Sequence, residues 1–340
     1  MKTTRVLIVD DSAFARKVLR DVLQGVPDID VVGVARDGLD ALAKIEELDP
    51  DVVTLDLVMP HLDGLGTLRA LAGRARPRVV VVCMADADSE QALAALEAGA
   101  LDVVNKPTAL ATDRLYDLSR ELIFKVQAAA EARPTPIVAV EPEPAPSSSG
   151  YRGAYDLLAI GASTGGPQAI TRLLKGIPAD FPVPVAVVVH LPAGFTQSFA
   201  ERLDKECSIH VVEASEGVRL SKGVAVIARG GWHLRVKRDD AGLYGTISTQ
   251  PPTLHRPAVD QLFSSAAVAS PGRVLGVVLT GMGDDGLAGS RQLAEGGSVL
   301  LTETEASCVV YGMPRVVYEA GLASGQFPIE QMATAVLARL

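Results

Sequence analysis

Residues 156–170 read DLLAIGASTGGPQAI. The stretch opens as a short apolar run, the pattern of a strand covered on both faces. It then sets one hydroxyl, Ser163, among Gly161, Ala162, Gly165 and Gly166, residues with almost no side chain. Gly161 to Gly165 fits G-x-S-x-G, which describes a nucleophile on a sharp turn between strand and helix. Small neighbours let such a turn tighten and let a substrate approach. The glycines also free backbone amides at a helix start, where the dipole favours a developing oxyanion. The spacing is not the G-x-G-x-x-G of a dinucleotide site, and without a G-K-[ST] ending it is not a P-loop.

Working outward, VAVVVH (185–190), VLGVVLTG (274–281) and SVLLT (298–302) repeat the buried-strand pattern. Parallel strands need crossover connections, so such runs separated by helical stretches predict a doubly wound, mainly parallel α/β sheet. Val224 to Thr249, with its alternation and glycine pairs, is expected to add a small antiparallel part built of hairpins. Upstream, RVLIV (5–9), VVGVA (31–35), VVTL (52–55), RVVVV (78–82) and DVV (102–104) alternate with helical stretches such as Asp40 to Leu48. A first α/β domain of the (βα)5 kind follows. Between the two, residues 133–150 read RPTPIVAVEPEPAPSSSG, and such proline, serine and glycine content predicts a solvated tether. The expected organisation is a domain at 1–132, a linker at 133–150 and a second domain at 151–340.

Composition limits the partners. The 340 residues suffice for two cores, with 48% hydrophobic and 21% charged side chains. A net charge of −9 without a long Lys/Arg cluster argues against nucleic acid, which needs a basic face. The apolar run in MKTTRVLIVDD is too short for a signal-peptide core, and no run reaches the roughly 18–20 residues of a membrane span. A soluble, cytoplasmic protein without membrane insertion is expected. Cys83, Cys207 and Cys308 are odd in number and far apart, so neither a disulfide framework nor a zinc cluster is suggested.

Ligand chemistry in open parallel sheets gathers beyond the carboxyl ends of the strands. In the first domain those ends carry Asp10 and Asp11, Asp56, and Lys106. Converging carboxylates repel one another, and Mg²⁺ would relieve that. A carboxylate beside a metal and a lysine is a plausible phosphoryl acceptor. Helix capping is the competing reading for each aspartate alone. It explains poorly the joint pattern of the aspartate pair, Asp56 with downstream Met59-Pro60, and Lys106-Pro107.

On these residues, positions 4 to about 125 resemble a response-regulator receiver domain, which implies a flavodoxin-like fold. The resemblance implies that Asp56 accepts phosphate from a histidine kinase and that Lys106 contacts the phosphoryl group. It also implies that Asp10, Asp11, Asp56 and the Val58 carbonyl hold Mg²⁺. The chain departs from the family where strand four ends in Cys83-Met84, without the usual Thr or Ser, and where Val103 replaces a frequent aromatic residue. A weak phosphorylation switch is the expected consequence.

In the second domain, His190 directly follows one apolar strand, and Asp284 and Asp285 lie in a glycine-rich turn after another. Serine, imidazole and carboxylate at three strand ends of one sheet form the set a hydrolytic triad needs. Their order, Ser, His, Asp, is not the Ser, Asp, His order of α/β-hydrolases, so a different architecture is required. That order, with IGASTGGP, HLPAGFTQSFAERL, HRPAVDQLF, LTGMGDDG and EASCVVYGMP behind a receiver, resembles the chemotaxis protein-glutamate methylesterase/glutaminase family over nearly the whole chain.

The resemblance implies that Ser163 is the nucleophile, His190 the base and Asp285 the orienting acid. Asp285 is preferred to Asp284 because the family pattern is G-M-G-x-D-G. Thr164, Gly165 and the Met282 amide are candidates for the oxyanion site or substrate cleft. His255 to Pro257 is read equally as cleft or as packing, and His210 and His233 as structure or surface. The implied reaction is hydrolysis of γ-glutamyl methyl esters on chemoreceptors, releasing methanol, with glutamine deamidation as a second activity and no cofactor for the hydrolytic step. Two rivals keep part of this reading: a phosphorylation-controlled esterase for a non-chemotaxis substrate, and a non-catalytic module that docks on receptors and serves as a phosphate sink.

Overall fold

A computed structural model of the chain describes residues 3–74, 77–106, 112–133 and 155–340, apart from the side chains of 85–88 and 112–118. The chain divides into two compact units, Met1–Pro134 and Thr135–Leu340. Pro107 and almost all of the expected tether lie outside the described residues.

The first unit alternates β1 (Thr4–Val9), α1 (Ala13–Gln24), β2 (Ile29–Ala35), α2 (Gly38–Leu48), β3 (Val52–Leu55), α3 (Gly64–Leu71), β4 (Arg78–Cys83), α4 (Ala85–Glu97), β5 (Asp102–Asn105) and α5 (Thr112–Glu131). The strands pair in parallel in the order β2-β1-β3-β4-β5, the flavodoxin-like order. Strands so short hold together because their side chains are buried from both sides: Val6, Leu7, Ile8, Val52, Val53, Val80 and Val81 are all inaccessible to solvent. Helix starts are capped locally, with Ser12, Asp37 and Asp63 accepting from Ala15, Asp40 and Gly66 amides. Lys125 of α5 is buried and donates to Asp102 at 2.7 Å and to the Val103 carbonyl at 2.7 Å. This ties α5 to β5, the strand that ends just before Lys106.

The second unit contains β6 (Leu157–Ala162), α6 (Gly166–Lys175), β7 (Val185–Val189), α7 (Thr196–Glu206), β8 (His210–Glu213), β9 (Val224–Ile227), β10 (His233–Asp239), β11 (Gly242–Ser248), α8 (Val259–Ala269), β12 (Val274–Val278), α9 (Leu287–Glu295), β13 (Val299–Glu303), α10 (Met313–Glu319), β14 (Gly325–Phe327) and α11 (Ile329–Leu337). Seven strands form one sheet in the order β14-β13-β12-β6-β7-β9-β8, every neighbouring pair parallel. The strands are added to one side of β6 up to β9 and to the other from β12 on, and such a reversal of strand order opens a crevice beyond the strand ends. Leu157, Leu158 and Ile160 of the central β6 are inaccessible to solvent, and burying side chains of this size is worth roughly 1.5–3 kcal/mol each.

The expected hairpin insertion is shorter than 224–249. Only β10 and β11 form the antiparallel pair, in register from His233–Ser248 to Asp239–Gly242. Val224–Ile227 joins the parallel sheet between β7 and β8, as its unbroken VAVI run, buried from Ala225 onward, suits a two-sided environment. The edge strands β8 and β14 are half-exposed and too short to announce themselves in the sequence.

Candidate active site

β6 delivers Ser163 to the switch point. Its amide donates to the Thr280 carbonyl beyond β12 at 3.0 Å, and the side chain is nearly enclosed. The turn is made two residues later, at Gly165, whose φ of +77° is in the region that favours glycine. A Cβ there would also lie 2.6 Å from Val309 Cβ. The left-handed backbone is thus at Gly165 and not at the serine, in contrast to the strained nucleophile turn of α/β-hydrolases. Gly281 faces the serine so closely that a Cβ on it would stand 2.7 Å from Ser163 Cβ.

β7 ends one residue before His190, which is buried between two partners. Nδ1 lies 3.0 Å from Ser163 Oγ and Nε2 lies 2.8 Å from Asp285 Oδ2. An ionised carboxylate only accepts, so Nε2 carries the proton toward Asp285 and Nδ1 presents its lone pair to the serine. The ring nitrogens therefore have the opposite assignment to the Ser-His-Asp arrangement of trypsin-like enzymes.

Asp285 is fixed from its other side by the first turn of α8. Oδ2 accepts the Val259 amide at 2.7 Å and Oδ1 the Asp260 amide at 2.9 Å. Burial alone would raise its pKa, but His190 and these two amides outweigh it and hold the carboxyl below its ordinary value. Asp260 returns the arrangement by accepting the amides of Gly286, which caps α9, and of Gly289 in its first turn, at 3.0 and 2.7 Å. Each aspartate caps the helix that follows the other. Asp284, the neighbour in sequence, is exposed and its side chain takes no part.

The segment 255–260 is strung across the site. His255 stacks on His190 with ring centroids 4.1 Å apart and planes 16° apart. The Arg256 carbonyl accepts the Gly231 amide at 2.9 Å, and the Ala258 amide donates to His233 Nδ1 at 3.2 Å. His233 is buried with Nε2 on the Pro251 carbonyl, whereas His210 is exposed and pairs with Asp204.

Sequence reasoning missed Glu303. It is 1% exposed at the end of β13, where Oε2 accepts the Thr280 amide at 2.8 Å and Oε1 the Ser307 hydroxyl at 2.9 Å. Thr280 in turn donates from Oγ1 to the Thr164 carbonyl at 3.0 Å and accepts the Val310 amide at 3.0 Å. The carboxyl thereby braces the strand end against which Ser163 sits. Burial, opposed by the bonds from Thr280, Ser307 and Cys308, pushes its pKa up to about 7.

Among the other predicted residues, Thr164 is fully buried beneath the turn. The Met282 amide, between two glycines, has no acceptor among the described residues.

In the first unit, one carboxylate oxygen from each of Asp10, Asp11 and Asp56 lies within 4.8 Å of the others, with Asp10 and Asp56 buried and Asp11 exposed. Lys106 bridges the buried pair, 2.8 Å from Asp10 Oδ2 and 2.9 Å from Asp56 Oδ2. Burial raises the pKa of Asp10, and burial together with the Asp10 charge raises that of Asp56 to about 6 despite Lys106. Hard oxygen donors crowded in this way suit Mg²⁺. Cys83 and Val103 are fully buried, and Met84 is 46% exposed at the end of β4.

Family profiles match both units: one described as CheB methylesterase covers residues 158–336, and one described as response regulator receiver domain covers residues 6–117. The chain is 55% identical over 336 residues to a protein-glutamate methylesterase/protein-glutamine glutaminase of Myxococcus xanthus, covering 96% of this chain and 95% of that protein. A protein of the same designation from Dechloromonas aromatica is 41% identical over 342 residues, covering 98% and 97%. The crystal structure of the Thermotoga maritima CheB methylesterase catalytic domain matches with a TM-score of 0.54 at 34% identity, covering 55% of this chain and 99% of that one.

Proposed function

The chain belongs to the CheB methylesterase family, enzymes with a receiver domain and methylesterase/glutaminase activity, and from this premise we propose a Ser163–His190–Asp285 triad that acts on chemoreceptors under control of phosphorylation at Asp56. The observation that carries this reading is the unbroken contact from Ser163 Oγ through both nitrogens of His190 to Asp285, at 3.0 and 2.8 Å.

Ser163 Oγ attacks the ester carbonyl while His190 Nδ1 takes its proton. Asp285 holds the imidazole by Nε2–H and stabilises the imidazolium that forms. The oxyanion is received by the Met282 amide and the start of α6, with Gly165 and Thr164 shaping the turn beside it. Collapse breaks the ester C–O bond, and the proton on Nδ1 leaves with methanol. Water, deprotonated by the same nitrogen, then attacks the acyl-enzyme to give glutamate and free Ser163. For a glutamine the leaving group is ammonia and every other step is shared.

In the receiver, Asp56 accepts a phosphoryl group from a histidine kinase and Lys106 contacts it. Mg²⁺ held by Asp10, Asp11, Asp56 and the Val58 carbonyl would neutralise the charge that gathers during transfer. The test is methanol release from methylated receptor membranes by the whole chain, with and without a small phosphodonor. Substitution of Ser163 must abolish release, and substitution of Asp56 must abolish the response to phosphodonor.

A further inference from the structure

The rim of the hydrolytic site is marked by a cation without a counter-charge. Arg256 is exposed, one residue from the imidazole that stacks on His190, and no hydrogen bond or ion pair engages its guanidinium among the described residues. Two arginines near it in the chain are occupied: Arg229 lies 3.8 Å from Glu213, and Arg235 donates to the Gln250 carbonyl and to Gln261. The Arg256 backbone is held by the Gly231 amide at 2.9 Å and by the partners of Ala258 and Val259, so the cation stands on a fixed strap. Trp232, next to Gly231, leaves 37% of its surface exposed on the loop bonded to that strap.

The surroundings make this charge informative. The chain carries −9 overall, and Asp284 and Glu305 are exposed on the turns that flank the serine. An anionic substrate segment is repelled here unless something opposes them. The two activities named for the family's enzymes both leave a glutamate carboxylate on the substrate protein. An ester that lies beside a position already hydrolysed therefore has a negative neighbour of the enzyme's own making.

We propose that Arg256 is a specificity-determining residue that binds a carboxylate beside the scissile glutamyl ester, so that the enzyme favours esters next to glutamates already formed. The inference rests on the esterase reading above and adds the charge of the segment that the site prefers. An arginine fork fits a carboxylate with two parallel hydrogen bonds, which a lysine cannot reproduce.

The test uses the full chain and two helical peptides, each with a single glutamate γ-methyl ester. One carries glutamate three and four residues away, and the other carries alanine there, which cannot be deamidated. The readout is the ratio of kcat/KM for methanol release from the two. At low salt the natural protein should prefer the glutamate-flanked peptide about fivefold, the scale of an exposed ion pair, and about 0.5 M salt should erase most of that preference. In Arg256→Gln the ratio should fall toward one, and Arg256→Lys should keep a reduced preference. An Arg256→Gln ratio equal to that of the natural protein overturns the proposal, as does equal hydrolysis of both peptides by the natural protein, which leaves the esterase reading standing. Hydrolysis of neither peptide or of methylated receptor membranes overturns both.

Discussion

Both units set polar groups beyond the carboxyl ends of parallel strands, and they hold those groups in opposite ways. In the receiver, Asp10 and Asp56 are buried close together, and their pKa values stay raised although each accepts one backbone amide, from Ser12 and Leu57, and both face Lys106. In the catalytic unit Asp285 takes two backbone amides besides His190, and its pKa is lowered. The first arrangement is electrostatically unfinished, and the repulsion between its carboxylates is of the kind a cation would relieve. The second is complete before substrate arrives, as expected where reorganisation during reaction would raise the barrier. One sheet-end crevice is built to respond, and the other to remain as it is.

The sharpest way to break this comparison is to remove a member of the finished site. Ser163→Ala and His190→Ala should each lower methanol release by about 10³-fold or more, since triad members act as a unit, with the circular dichroism spectrum unchanged. Retained release in either variant means that the chemistry lies elsewhere. Asp285→Asn should cost about 10²-fold or more in kcat, because an amide no longer fixes the His190 tautomer. Asp284→Asn, on the exposed neighbour, should stay within about twofold. Equal losses at the two aspartates would contradict the assignment of the carboxylate.

How far the two sites were legible follows from how local each signal is. Asp10, Asp56, Ser163 and His190 each sit directly after a largely apolar run, and Lys106 one residue after one, so a strand end and a polar group could be read together. The choice of Asp285 over its neighbour rested on a family pattern. The stacking of His255 on His190 and the brace from Glu303 to Thr280 join residues far apart in the chain, which no periodicity records. The same holds for the membership of Val224–Ile227 in the parallel sheet, where an apolar run suits several kinds of buried strand.

Glu303 offers a test of whether the catalytic unit is as settled as its triad. Its pKa is raised from an ordinary 4.5 to about 7, so between these values the folded state keeps a proton that the unfolded chain releases. Stability from this group is fully present below the ordinary value and is lost as pH rises through about 7, a change of about 3 kcal/mol at most. Glu303→Gln, which cannot titrate, should flatten that fall. Urea midpoints of esterase activity from pH 5 to 8 measure it, and parallel curves for the two proteins would show that Glu303 does not titrate there.

The smallest effect concerns the responsive site. Cys83 and Met84 end β4 without the hydroxyl that follows a phosphoryl group in most receivers, and Val103 is packed where an aromatic ring often moves. A neutral hydrogen bond contributes about 1 kcal/mol, so Met84→Thr with Val103→Tyr should increase phosphodonor stimulation of the esterase about fivefold. Asp56→Asn serves as the unresponsive control. Strong stimulation of the natural protein, unimproved by the double substitution, would assign the transmission to another contact.

The reciprocal caps of Asp285 on α8 and Asp260 on α9 bear on how such a chain would age under relaxed selection. Ser163 can be replaced by a smaller residue at no cost to the helices, whereas loss of Asp285 removes the cap of α8, at about 1 kcal/mol per lost cap. A descendant drifting into a purely adhesive role would shed its nucleophile first and keep its acid as a fossil. In this fold a surviving aspartate alone is poor evidence of a working enzyme.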